Sequence, residues 1–113
     1  MDSKTDDITV VIIDDHDVVR SGIINWVASE PDLRVVANGS TGREAIDLVM
    51  QYRPHVLLID LHLPDSRATE VAKKLRQEQV ETTIIVMTGY EKNRVRQVLD
   101  SGANGYLSKE DRR

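Results

Sequence analysis

The sequence predicts an α/β domain built on a parallel sheet with helices on both faces. Three observations predict it. Short apolar runs rich in β-branched residues alternate with segments of helical period, four times over and then one final run. The runs Ile8 to Ile13 and Val56 to Ile59 are continuous rather than alternating, as in strands buried on both faces. Both stop on aspartate, at Asp14-Asp15 and at Asp60. The carboxyl ends of parallel strands are where open α/β sheets bind ligands. Strict βα alternation brings right-handed crossovers and hence a parallel sheet.

The elements follow in order. Ile8 to Ile13 is β-branched throughout and forms the first strand. Val19, Ile23, Ile24 and Val27 then share a helical face, with Asp15 or Asp17 as the N-cap and Pro31-Asp32 as the stop. Leu33 to Ala37 is the second strand, closed by Asn38-Gly39. Thr41 or Ser40 caps the second helix, and Glu44 stands three after Thr41 as in a capping box. Its face is Ala45, Ile46, Leu48, Val49 and Tyr52, and Pro54 ends it. Val56 to Ile59 is the third strand. Ser66 or Asp65 begins a third helix with Ala68, Val71, Ala72 and Leu75 inward. Thr83 to Met87 is the fourth strand and ends on Thr88-Gly89. Lys92 to Ser101 is the fourth helix, carrying Val95, Val98 and Leu99, with Gly102 placed as a C-cap glycine. Asn104 to Leu107 is the fifth strand and runs into Ser108-Lys109.

Length and composition limit the class. At 113 residues the chain suits one domain, 8–113, preceded by a flexible polar tail, 1–7. There is no Phe and a single Trp, so the core is aliphatic. A net charge of -4 disfavours a nucleic-acid surface. The absence of cysteine excludes disulfides, thiolate metal sites and thiol nucleophiles, and suits the cytoplasm. No apolar run approaches the ~20 residues that span a bilayer.

The strand ends carry the chemistry. In a parallel sheet Asp14-Asp15, Asp60, Thr88 and Lys109 lie along one edge, with neighbouring ends ~5 Å apart. Each has an ordinary reading: helix caps for the aspartates, a turn for Thr88, a solvated lysine. Their occurrence on successive strand ends outweighs those readings. Crowded carboxylates call for a divalent cation, and all-oxygen ligands favour Mg²⁺ or Mn²⁺ over zinc. A metal-bound carboxylate is also a nucleophile towards phosphorus. Phosphoryl transfer needs its spreading charge neutralised, by the metal and by a cation such as Lys109.

The segments VVIIDDHDVVRSGI (Val10 to Ile23), VLLIDLHLPD (Val56 to Asp65), IIVMTGY (Ile84 to Tyr90) and GANGYLSK (Gly102 to Lys109) together resemble the receiver domain of two-component response regulators. The first and last point to the NarL/FixJ (LuxR-type) subfamily, whose members usually continue into a helix-turn-helix domain. The resemblance implies a flavodoxin-like, doubly wound sheet of five parallel strands in the order 2-1-3-4-5. It implies phosphorylation of Asp60 by a partner histidine kinase and a switch in an output, transcription regulation through a DNA-binding domain absent from this chain. Asp15 and Asp60 would hold Mg²⁺ directly with the backbone carbonyl of His62, and Asp14 through water. Thr88 would be the switch hydroxyl, Lys109 the phosphoryl contact, and Tyr106 the ring that changes rotamer with Thr88. Large rings at His62 and Tyr90 are expected to slow dephosphorylation. His16 and His62 are expected at the rim of the acidic site, and His55 before a strand.

The sequence departs from the family in places. Ala68 stands where the loop after the acceptor strand usually has glycine, and Ser66 where an apolar residue is common, so this loop is expected to bend differently. The family's fifth helix has no sequence here, which leaves the receiver truncated, with a sheet face uncovered and a marginally stable or associating chain as the expectation. A homodimer would use that face or the face of the fourth helix and fifth strand. Direct DNA binding and membrane contact are not expected. The alternatives fare worse. A phosphohydrolase of the haloacid-dehalogenase type would place a second Asp where His62 stands. A receiver-like interaction module that is never phosphorylated typically lacks part of the set Asp14, Asp15, Asp60, Thr88 and Lys109. A dinucleotide-binding domain needs a glycine-rich loop where Asp14-Asp15-His16 follows Ile13. The chain is therefore expected to be a switch, promoting only its own phosphorylation and dephosphorylation, and not an enzyme acting on other substrates.

Overall fold

The β-branched runs form a five-stranded, all-parallel sheet. A computed structural model describes residues 7–89 and 95–109. The strands are β1 (Ile8–Ile13), β2 (Leu33–Gly39), β3 (Val56–Asp60), β4 (Thr83–Thr88) and β5 (Gly105–Ser108), in the spatial order β2-β1-β3-β4-β5. The helices are α1 (Asp17–Ala28), α2 (Gly42–Tyr52), α3 (Ala68–Gln77) and α4 (Val95–Asp100). This is the doubly wound order, and its switch point lies between β1 and β3, which pair directly through Ile13 and Ile59.

Two apolar layers sandwich the sheet. On one face Val11, Ile13, Leu57, Ile59, Ile84 and Val86 meet the inner sides of α2, α3 and α4. On the other, Val10, Ile12, Leu58 and Met87 pack against Ile23 and Val27 of α1. Beside α1 this second face opens into a trough of about 690 Å³ between Trp26 and the β4–β5 edge. Val56, Ile85 and Leu107 are only partly buried along it.

The local signals acted largely as expected, with several corrections. Thr41 caps α2 and makes the full capping box with Glu44, and Gly102 closes α4 at φ +111°. The N-cap of α1 is His16, not Asp15 or Asp17, because Asp17 is already helical. α3 starts at Ala68 behind Arg67 rather than at Asp65 or Ser66. Ala68 takes the glycine's place without strain: it is buried in the first turn, and its N–H donates to the Leu61 carbonyl at 2.9 Å. β2 runs two residues past Ala37, and its register on β1 slips between Val10 and Val11, which leaves Val36 as the extra residue. On α4 only Val98 is buried, with Val95 and Leu99 outward. On α2, Tyr52 is exposed. The expected start of the fourth helix, Lys92, lies outside the described residues, as does Tyr90.

Candidate functional site

The carboxyl ends of β1, β3 and β5 bring four of the expected residues together. Asp14 follows β1 and is held there by its N–H, which donates to the Gly39 carbonyl of β2 at 3.1 Å. It is fully buried. Asp60 is the last residue of β3 and is also buried. Asp15 is half-buried, and its Oδ1 has no hydrogen-bond donor among the described residues. Lys109 follows β5 and reaches back over the edge, its Nζ 2.7 Å from Asp14 Oδ2 and 3.4 Å from Asp60 Oδ1.

His16 joins this cluster, which the sequence placed only at the rim. Its Nδ1 lies 3.1 Å from Asp15 Oδ1 and 3.3 Å from Asp14 Oδ1. One donor atom from each of Asp14, Asp15, His16 and Asp60 falls within 4.8 Å of every other. The signal in the sequence was adjacency to Asp14-Asp15, but the turn that folds the ring back had to be seen. The Arg20 guanidinium closes the rear of the site by donating to the Asp14 carbonyl at 2.8 Å. A cleft of about 360 Å³ opens over the group, and His62, Pro64 and Gly89 complete its wall.

The electrostatics centre on Asp60. Burial pushes its carboxyl above the ordinary value, Lys109 pulls it down, and Asp14 and Asp15 push it up again. Asp14 and Asp60 thus share the Lys109 ammonium with Asp15 close by, and a small divalent cation fits this donor set: the ligands are mainly oxygens, and the buried Asp15 Oδ1 lacks a donor among the described residues.

The remaining expected residues stand nearby. Thr88 is buried at the end of β4, next to Met87, whose register partner is Asp60. Tyr106 is half-buried on β5, and its hydroxyl is buried with no hydrogen-bond partner among the described residues. His62 is exposed on the cleft wall. His55 is away from the site, paired with Thr9 at the opening of β1, where its Nδ1 accepts the Thr9 N–H at 2.9 Å.

The loop after Asp60 has its own anchor. Asp65, expected as a helix start, instead accepts hydrogen bonds from the Gly42 and Arg43 N–H groups, at 2.8 and 3.0 Å. It caps α2 across the loop gap, and those bonds hold its carboxyl below the usual range. No helix among the described residues is long and apolar enough to cross a membrane.

Comparison with known proteins agrees with this geometry. The family model described as the response regulator receiver domain matches residues 10–113. A transcriptional regulatory protein of Brevibacillus brevis, DegU, is 38% identical over 104 residues, which cover 91% of this chain and 44% of that protein. The signal receiver domain assigned to the response regulator NarL of Mycobacterium tuberculosis superposes with a TM-score of 0.90 at 28% identity, covering 95% of this chain and 87% of that one. A LuxR-family two-component response regulator from Aurantimonas gives a TM-score of 0.86 at 27% identity, over 91% of this chain and 74% of that one. The chain spans about half the length of the curated relatives it matches.

Proposed function

This chain belongs to the response regulator receiver family of two-component signalling, in its NarL/FixJ subfamily, and from that premise we propose that Asp60 is its phospho-acceptor. The observation that carries the reading is the convergence of Asp14, Asp15, Asp60 and Lys109 on one sheet edge, beneath an open cleft.

The residues divide the work by position. Asp60 is the nucleophile: a carboxylate oxygen bonds to phosphorus as the donor's bond to phosphorus breaks, and the leaving group takes that electron pair. Attack needs the ionised carboxylate. The Lys109 charge favours that form against the burial that opposes it. Asp15 and Asp60, with the backbone carbonyl of His62, would hold Mg²⁺ directly and Asp14 through water, and the bound ion would supply charge to offset the negative charge spreading over the phosphoryl oxygens. Lys109, already between Asp14 and Asp60, is placed to follow the phosphoryl group.

Thr88 and Tyr106 carry the response. Thr88 ends the strand beside β3, and its hydroxyl turns towards the phosphoryl group. Tyr106 gains from a rearrangement, because a buried hydroxyl with no hydrogen-bond partner among the described residues is costly. A phosphate that favours the inward Thr88 shifts the population of the β4–β5 edge. The donor partner is a sensor histidine kinase. The output is transcription regulation through a separate DNA-binding domain, and the α4–β5 face is a surface for pairing of two receivers. The chain promotes only its own phosphorylation and dephosphorylation.

Acetyl phosphate and Mg²⁺ test this. The expected result is an acid-stable, base-labile phosphoryl mass gain that Asp60→Asn abolishes and that chelation of Mg²⁺ prevents. An unmodified wild-type protein would favour an interaction module working without phosphate. A mass gain that survives Asp60→Asn would move the acceptor elsewhere.

A further inference from the structure

We propose that Arg20 is a positioning residue for the acidic site: its guanidinium fixes the Asp14–Asp15 peptide, and through that peptide the direction in which Asp15 presents its carboxylate to a cation. The proposal rests on the reading of Asp15 and Asp60 as direct cation ligands. It adds to them a residue that touches neither the cation nor the phosphoryl group.

The hydrogen bonds of Arg20 join the end of β1 to the start of α1. Nη1 donates to the Asp14 carbonyl at 2.8 Å, and Nη2 donates to Asp17 Oδ1 at 2.9 Å. The Arg20 N–H donates to the His16 carbonyl at 2.8 Å. One side chain thus holds both the residue after the strand and the first residue of the helix. The Arg20 side chain is 19% exposed and that of Asp17 87%, so the guanidinium lies inside this turn with Asp17 on its solvent side.

Arg20 acts on Asp15 through the peptide plane. The Asp14 carbonyl and the Asp15 N–H belong to one planar unit. A donor on that carbonyl fixes the orientation of the unit, and with it the N–Cα bond from which Asp15 departs. The plane before it is held by the Asp14 N–H, which donates to the Gly39 carbonyl at 3.1 Å. The plane after it is held by the His16 N–H, which donates to Asp14 Oδ1 at 2.9 Å. Arg20 supplies the hold on the plane between them.

Asp15 needs that support more than its neighbours do. Asp14 and Asp60 both meet the Lys109 ammonium. Asp15 Oδ1 has no hydrogen-bond donor among the described residues, and the His16 ring 3.1 Å from it is itself mostly in solvent. The carboxylate with the weakest side-chain support is therefore the one whose backbone Arg20 orients. Shape matters here more than charge. A guanidinium is a rigid planar fork that reaches two acceptors at once, whereas an ammonium is a compact charge on a flexible stem.

Calorimetric titration of the full chain with Mg²⁺ tests the proposal. Arg20→Lys keeps the charge and the stem but loses the fork, and it should weaken Mg²⁺ about tenfold, a usual loss for a residue that orients a metal ligand. Arg76→Lys is the control for a purely structural loss. That guanidinium also holds two main-chain carbonyls, of Val80 and Gly102, at the opposite edge of the sheet where β4 and β5 begin. Its replacement should lower the urea midpoint and leave Mg²⁺ affinity within about twofold of wild type. The exposed end of the fork offers a second test that spares the fold. Asp17→Asn and Asp17→Ala lose the same charge, but only the alanine releases Nη2, so it should bind Mg²⁺ about threefold more weakly than the asparagine variant. Wild-type affinity in Arg20→Lys overturns the proposal and leaves the cation site standing, and so does an equal loss in Arg20→Lys and Arg76→Lys. If Arg20→Lys does not fold, equal affinities in the two Asp17 variants overturn it. If the wild type itself binds no Mg²⁺, the cation reading fails and takes the proposal with it.

Discussion

Asp65 sets the geometry of the acceptor loop from outside the acidic cluster. Its two oxygens take the Gly42 and Arg43 N–H groups, which ties the segment after β3 to the start of α2. Gly42 belongs to the same joint, since a Cβ there would collide with Ser66 Oγ. We expect Asp65→Ala to cost about 1 kcal/mol at pH 7, the usual loss of a helix cap. The sign of the pH dependence follows from the depressed carboxyl, held down first by the Gly42 N–H. A group lowered in the folded state stabilises above its unfolded value of about 3.9 and loses that contribution as pH falls through the folded value. The gap between wild type and Asp65→Ala should therefore be constant above about pH 5 and close below about pH 4. Urea titrations across that range measure it, and a gap independent of pH would show that the carboxylate is not the cap. Asp14, Asp15, Asp60 and Lys109 were legible in the sequence because strand ends fix where they stand. Asp65 was not, because its donors lie 23 and 22 positions earlier. His16 was only half legible: its neighbours were evident, but the direction of its ring depends on the turn into α1.

α3, α4 and β5 are joined at one arginine. Arg76 donates to the Gly102 carbonyl at 2.9 Å, the Val80 carbonyl at 2.7 Å and Asn104 Oδ1 at 2.7 Å. Asn104 Oδ1 also accepts the Ile84 N–H of β4. The price of this junction is a glycine: Gly102 sits at φ +111°, and a Cβ there would lie 2.7 Å from Arg76 Cγ. Gly102→Ala should cost about 1–3 kcal/mol, through backbone strain and that contact. Arg76→Ala should cost a similar amount, since it leaves the Gly102 and Val80 carbonyls to find water and removes one of the two donors to Asn104 Oδ1. The pair should cost less than the sum, because removing Arg76 makes room for the new Cβ and leaves only the backbone strain. A denaturation cycle on the two single variants and the double variant checks this, and full additivity would dismiss the contact. The glycine itself was visible as a helix stop, and the buried stripes of α2 and α3 followed from their 3.6-residue period. The period misled on α4, where Val95 and Leu99 face outward because only Val98 reaches the sheet layer. It also missed the slip in β2, since an extra residue such as Val36 is a matter of pairing and not of pattern.

The two faces of the sheet are unequally covered, and neighbouring isoleucines on β4 measure the difference. Ile84 points into the layer filled by α2, α3 and α4 and is fully buried. Ile85 points to the opposite face, where α1 covers the β2 side and the β4–β5 side opens into the trough of about 690 Å³. Both are β-branched, both sit in a central part of the strand, and both pair with β3, through Leu57 and Leu58. Strand propensity therefore cancels between them, a side-chain truncation leaves the backbone hydrogen bonds of each in place, and what differs is the packing on each side. Removing buried methyl and methylene groups costs the lost transfer free energy and the cavity left behind. At Ile84 both terms apply in full, so Ile84→Ala should cost about 2–5 kcal/mol. At Ile85 part of the side chain already meets solvent and the trough is already open, so the cost should be about half as large or less. Equilibrium urea unfolding of both variants at low protein concentration gives the comparison. Repeating it at rising concentration adds a second reading: if copies of the chain meet over the trough, the cost at Ile85 should climb towards that at Ile84 while the cost at Ile84 stays constant. Equal costs at every concentration would mean that the trough is closed in solution, and that the sheet is sandwiched as fully on the α1 side as on the other.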